Sequence, residues 1–379
     1  MTLPSDAHNP AGTERPAFIP GVTLCGRFYE EAVRPILAEA FPALTYSAAL
    51  IGSGSEVPGY DTARSTDHEW GPRLLLFVDE QAYADVAEPM HAALSLRLPR
   101  EFAGYSTHFG EPDTEGVQVR EALSAGPVAH KVEIHTLRQF FLDRLGVDPR
   151  SGLSLRDWLM LPQQKLLEVT AGRVYHDGLG ELEDMRAQLA WYPRDLWLYL
   201  LAAQWQRIAQ QEPFVGRAGE VGDEVGSRLV AATLVRDLMR LCFLMERRYA
   251  PYTKWFGTAF ARLEIAPVLT PSLHGALGAG SWPERERHLC AAYEAVAHMH
   301  NALGITGPLE DYVTFFHDRP FRVLHGGRFA AAIIDVIADD EVRGLVGRVG
   351  MIGAVDQITD NVDVLSNPAR YVTMRALYA

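Results

Sequence analysis

The chain has 379 residues, 48% of them hydrophobic and 22% charged, a length that implies two domains and a composition that provides each with an apolar core. A formal net charge of -13 argues against a non-specific nucleic-acid binder, which relies on surplus Lys and Arg to displace counterions, and is compatible with a small, cationic substrate. No apolar run reaches the roughly 18 to 20 residues of a membrane span, so no membrane partner is expected, and oligomeric state leaves no mark in the sequence.

The N-terminal stretch MTLPSDAHNPAGTERP lacks the apolar centre of a signal peptide, so a cytoplasmic protein is expected, with residues 1–16 as a mobile tail. From Gly21, apolar residues at Leu24, Phe28, Val33, Ile36 and Leu37 follow a helical spacing that stops before Pro42. Ala48 to Ile51 reads as a short strand. It ends in Gly52-Ser53-Gly54-Ser55, where missing side chains let backbone N–H groups approach a phosphate. After a turn-rich loop, Asp67 and Glu69 stand two apart, a spacing that on a strand points both to one face. Two such carboxylates suit a divalent metal.

Leu74 to Val78 is an unbroken apolar run expected to form a central strand, and Glu80 to Leu96 a helix. Gly71-Pro72 stands between the acids and that strand, and proline cannot donate to a ladder, so a bulge or strand end is expected there. Phe102 to Phe109, Gly116 to Leu123 and His130 to Thr136 read as further strands of a mixed sheet. In the last, Glu133 alternates with Val132 and Ile134 and shares its face with Lys131 and His135. A helix over Leu137 to Leu145 ends at Gly146.

From about residue 150 the pattern is predominantly helical, including the stretch from Ser154 to Gln211. Asp223 is a natural N-cap for an apolar helix from Glu224 to Arg248, whose Arg236, Arg240 and Arg247 fall within a narrow angle. Further helices are expected over Pro283 to Leu303, Arg328 to Ala338 and Val342 to Met351.

The Tyr46 to Val78 stretch resembles the nucleotidyltransferase superfamily, the fold of DNA polymerase beta and the aminoglycoside nucleotidyltransferases. Its signature is an apolar residue, Gly-Ser, a loop, then Asp-x-Asp/Glu, here Ile51, Gly52, Ser53, Asp67, His68 and Glu69. With FVGRAGEVGDEVGSRL and ERRYAPYTKWFGTAF downstream, the chain looks like an uncharacterised bacterial family with such an N-terminal half.

The resemblance implies an α+β architecture: a nucleotidyltransferase-like mixed sheet with flanking helices over 17–150, then a mainly helical, substrate-binding bundle over 151–379. It implies that Asp67, Glu69 and a third acid, Glu133, hold magnesium or manganese and serve catalysis. Gly52, Ser53, Gly54 and Ser55 would hold the phosphates of an NTP, and Tyr252 and Lys254 would contact the nucleotide. The reaction would move an NMP from the NTP to a hydroxyl of a small-molecule acceptor.

Two patterns bear on the acceptor. Arg217, Glu220 and Asp223 punctuate a glycine-rich segment as an arginine–carboxylate network or a cationic acceptor site, with a capped loop as the plain alternative. Arg247 opens RRYAPYTKWFG, where lysine can neutralise phosphate and aromatics can stack on a base, as an exposed loop also would. The three cysteines, Cys25, Cys242 and Cys290, form no C-x-x-C pair and read as buried thiols. His176, His298, His300 and His325 have no triad or zinc spacing and read as structural.

Gly71-Pro72 and a loop longer than the family's usual one also allow a different protein: a catalytically inactive, nucleotidyltransferase-like module that binds a nucleotide or a partner. Convergence of the three acids distinguishes the two.

Overall fold

A computed structural model describes residues 16–114 and 116–379. The tail expected over 1–16 therefore falls, but for Pro16, outside the described residues. The architecture is α+β. Two compact units divide the chain: one runs to Leu137 and takes in Ala171–Glu183, and the other comprises Arg138–Thr170 and Asp184–Ala379.

The first unit opens with helix α1 (Gly21–Phe28), which widens into a π turn over Tyr29–Val33 before α2 (Arg34–Ala40). Pro35 explains the widening, because it offers no N–H to the carbonyl four residues back. Strand β1 (Tyr46–Leu50), strand β2 (Arg73–Val78) and helix α3 (Tyr83–Arg97) follow. As expected, β2 starts directly after Gly71-Pro72.

Two of the expected strands do not join the main sheet. β3 (Glu101–Phe102) and β4 (Tyr105–Ser106) form a hairpin of their own, and Phe109 makes an isolated bridge to Arg120. Only β5 (Lys131–His135) enters, parallel to β2. The fourth strand, β6 (Arg173–Asp177), comes from the stretch read as helical, and it pairs antiparallel with β1 to complete the order β5-β2-β1-β6. RVYHD is too short for a stable helix, and Gly172 lets the chain pass so close to the Leu50 carbonyl that a Cβ would collide with it.

One face of the sheet, through Ala48, Leu74, Leu76, Val78 and Val132, packs on Leu24, Phe28, Val33, Leu37, Met90 and Leu94 of the helices. Strand alternation sends the neighbouring residues to the opposite face, where the parallel register sets Arg73 beside Lys131, Leu75 beside Glu133 and Phe77 beside His135.

The second unit is helical, apart from a two-residue hairpin, Thr314–Phe315 with Arg322–Val323, among its described residues. Its longest helices are Arg194–Gln211, Glu224–Met245 and Trp282–Ala302. Asp223 caps the second of these by accepting the Gly226 N–H at 2.7 Å. That helix ends three residues before the expected Arg248, because Arg247 turns the chain at φ 53°. Leu229 and Val225 lie on the exposed strip of this apolar helix. Arg236 and Arg240 do reach one neighbouring segment, to the Asp360 carboxylate and the Asp356 carbonyl, while Arg247 does not join them.

Candidate functional site

β1 runs antiparallel to β2, and β5 runs parallel to β2, so the end of β1 lies beside the beginnings of β2 and β5. The Gly52–Ser55 turn, the segment leading to Arg73, and Lys131 and Glu133 therefore gather at one end of the sheet.

Gly52 and Gly54 both adopt positive φ, 92° and 124°. Behind the turn, Arg73 Nε donates to Glu56 at 2.7 Å, and a second guanidinium nitrogen donates to the Ser53 carbonyl. Burial works against the charge of Arg73, but the carboxylate of Glu56, with Glu133 further off, holds its pKa above the ordinary value. A Cβ on Gly54 would sit 2.6 Å from the Glu56 carboxylate, so the glycine serves close packing as well as conformation. Cys25 lies fully buried nearby, donating to the Gly71 carbonyl, and burial pushes its thiol up to about 12. It is a buried thiol, as read from the sequence, and so is Cys242, whereas Cys290, read the same way, is only partly buried.

Asp67 and Glu69 do not lie on a strand. Asp67 closes a 3-10 turn, Ala63–Asp67, started by a Thr62–Ser65 capping box. Its carboxylate is 64% exposed and pairs with His68 Nδ1 at 3.0 Å. Glu69 takes up φ 50°, its N–H donates to the Gln118 carbonyl at 3.0 Å, and its carboxylate accepts the Gln118 N–H at 2.7 Å and the Lys131 ammonium.

Two features displace the acids from strand geometry. Gly71-Pro72 delays β2, and Trp70 is drawn inward, where its indole N–H donates to Asp61, the same carboxylate oxygen that accepts the Gly21 N–H at the start of α1. Arg120 covers that indole at 5.5 Å and donates to the Thr66 carbonyl, tying the loop down.

Glu133 does alternate with Val132 as expected: Val132 is in the core, while Glu133 is 45% exposed and accepts from His135 Nε2 at 3.1 Å. Hard carboxylate oxygens are the ligands magnesium prefers. Among the described residues, however, no three His, Cys, Asp or Glu side chains come together to hold a metal ion, and Glu69 is already bound by Lys131. The residues present do not fit the expected ion.

In the second unit each residue singled out has its own local contact. Tyr252, before the helix Thr253–Phe260, donates its N–H to Gln164 at 3.0 Å, and exposed Lys254 lies 5.1 Å from the ring of Trp255. Arg247 stacks on Trp197 at 4.2 Å and Arg217 on Phe214 at 5.7 Å. Glu220 pairs with Arg319 at 3.9 Å, and Asp223 is the helix cap. His300 is fully buried against Trp205 and Thr306, a structural histidine.

Arg73, Glu56 and Gln118 carry much of the geometry of the sheet end and were not singled out from the sequence. The signal for Arg73 was available: it is a charged residue opening an apolar strand, in phase with Leu75 and Phe77.

A family model described as a domain of unknown function (DUF4037) matches residues 158–256. No curated protein matches. Among solved structures, a nucleotidyltransferase-like protein from Exiguobacterium sibiricum 255-15 aligns at 12% identity over 83% of this chain and 92% of that chain, with a TM-score of 0.27. That likeness is too loose to support a function. Among the described residues no helix is long and apolar enough to cross a membrane.

Proposed function

We propose that the sheet end of the first unit binds a nucleoside triphosphate, its phosphates against the Gly52–Ser55 turn, and that the unit serves as a nucleotide-recognising module of nucleotidyltransferase type. One observation carries this reading: four acids at the sheet end are each engaged by a side chain, Glu56 by Arg73 and Glu69 by Lys131 as ion pairs, Asp67 by His68 and Glu133 by His135 through imidazole contacts. The Arg73 and Lys131 charges thereby offset two of the four carboxylates that would otherwise repel a phosphate from the exposed backbone of Ser53 and Gly54.

A second reading, transfer of an NMP to a hydroxyl of a small-molecule acceptor, is favoured by Glu133, which is half-exposed on the same sheet face as Lys131. In it the acceptor oxygen attacks the α-phosphorus, the bond to the β-phosphate oxygen breaks, pyrophosphate leaves, and Glu133 takes the hydroxyl proton.

Calorimetric titration of the four common NTPs, with and without magnesium, followed by pyrophosphate release against pooled small-molecule alcohols, separates the two. Binding without pyrophosphate supports the module. Pyrophosphate release that Glu133→Gln abolishes supports the transferase. Absence of NTP binding under either condition overturns both.

A further inference from the structure

We infer that the ε-ammonium of Lys131 is the resident cation of this sheet end, standing on Glu69 in place of a divalent metal, so that the site takes its anionic ligand without one. The identity of that ligand as a nucleotide rests on the reading above; the lysine's role does not.

Glu69 is a fixed group. Its main-chain N–H and one carboxylate oxygen, Oε1, are both engaged by the backbone of Gln118, which leaves Oε2 as the oxygen that meets Lys131. The lysine is fixed as well: only 14% of its side chain is exposed, and its Nζ lies 5.3 Å from the centre of the Phe109 ring. An ammonium enclosed by one carboxylate and one aromatic face loses both partners if it moves, and a buried charge without partners is costly. A divalent ion arriving at Oε2 would either meet that ammonium at close range or expel it into solvent.

The register adds a second cation beside the first. Arg73 and Lys131 are direct neighbours across β2 and β5, and each is held by a carboxylate from outside the two strands, Glu56 and Glu69. The sheet end thus has two fixed positive side chains where the nucleotidyltransferase pattern led us to expect metal ions.

The test uses manganese alone, read by water-proton relaxation, on the full chain. The wild-type protein is expected to show no manganese site tighter than millimolar. Lys131→Met, which keeps an unbranched side chain against Phe109, is expected to bind manganese at the freed Glu69 carboxylate about tenfold more tightly than wild type, still weakly for want of further ligands, and the added change Glu69→Gln to remove that gain.

Lys131→Arg retains the charge and is expected to behave as wild type; together with the wild-type titration it decides the matter if Lys131→Met does not fold. A micromolar site in the wild-type protein that Glu69→Gln abolishes, or a folded Lys131→Met with no gain, overturns the inference. ATP titrated in the presence of EDTA then tests the ligand separately: equal affinity with and without magnesium is expected, and failure of ATP to bind at all would remove the nucleotide reading while leaving the manganese result standing.

Discussion

Arg73 and Glu56 form an ion pair at 2.7 Å, with 11% and 2% of their side chains exposed, directly behind the glycine turn. The pair anchors the turn because Arg73 also holds the Ser53 carbonyl. Removing one partner strands the other in a poorly solvated place, so Arg73→Met or Glu56→Gln is expected to cost about 3–5 kcal/mol of stability. Replacing both charges together, Arg73→Met with Glu56→Gln, should cost much less than the sum. Urea denaturation of the two single variants and the double variant measures this, and additive losses would show that the two charges are not coupled.

Gly54→Ala meets three obstacles, a backbone at φ 124°, the Arg73 guanidinium, and the Glu56 carboxylate 2.6 Å from the new methyl group. A loss of about 1–3 kcal/mol is expected, together with weaker ligand binding at the turn. Thermal unfolding combined with NTP titration checks both effects.

Asp67 and Glu69, alike in the sequence pattern, should differ in mutants. Asp67 is 64% exposed and, among the described residues, bonds its neighbour His68 alone, so Asp67→Asn should change stability by no more than about 0.5 kcal/mol. Glu69→Gln removes the charge that faces enclosed Lys131, and about 1–3 kcal/mol should be lost. Equal unfolding midpoints for the two variants would contradict the asymmetry.

In the second unit, Glu212 is buried, and desolvation lifts its carboxyl from 4.5 to about 7 even though the N–H groups of Gly326, Leu324 and His325 pull it down. The folded state therefore binds a proton between pH 4.5 and 7 that the unfolded chain has released, and stability falls as pH rises through that window. The loss attributable to this group is on the order of 3 kcal/mol. Across the window wild type should lose that amount of unfolding free energy relative to Glu212→Gln, whose side chain stays neutral, and parallel pH profiles would exclude Glu212 as the source.

Much of the local structure was legible in the sequence because it depends on neighbours in the chain. The helical spacing from Leu24 to Leu37, the strand at Leu74 to Val78, the cap at Asp223, the glycine stop at Gly146 and the buried thiols of Cys25 and Cys242 all follow from periodicity, turn chemistry or composition. The alternation that turns Glu133 away from Val132 is of the same kind.

Long-range pairing decided the rest. RVYHD became a strand because β1 offered it an antiparallel edge, a partner some 125 residues away that no local pattern reports. Asp67 and Glu69 left strand geometry because Trp70 was drawn inward to Asp61 and because Glu69 found the backbone of Gln118 and the ammonium of Lys131. A two-residue spacing sets the faces of carboxylates only while a ladder holds the backbone extended. Here side-chain contacts from distant segments outweighed that spacing, and they set a lysine where the pattern had suggested a metal.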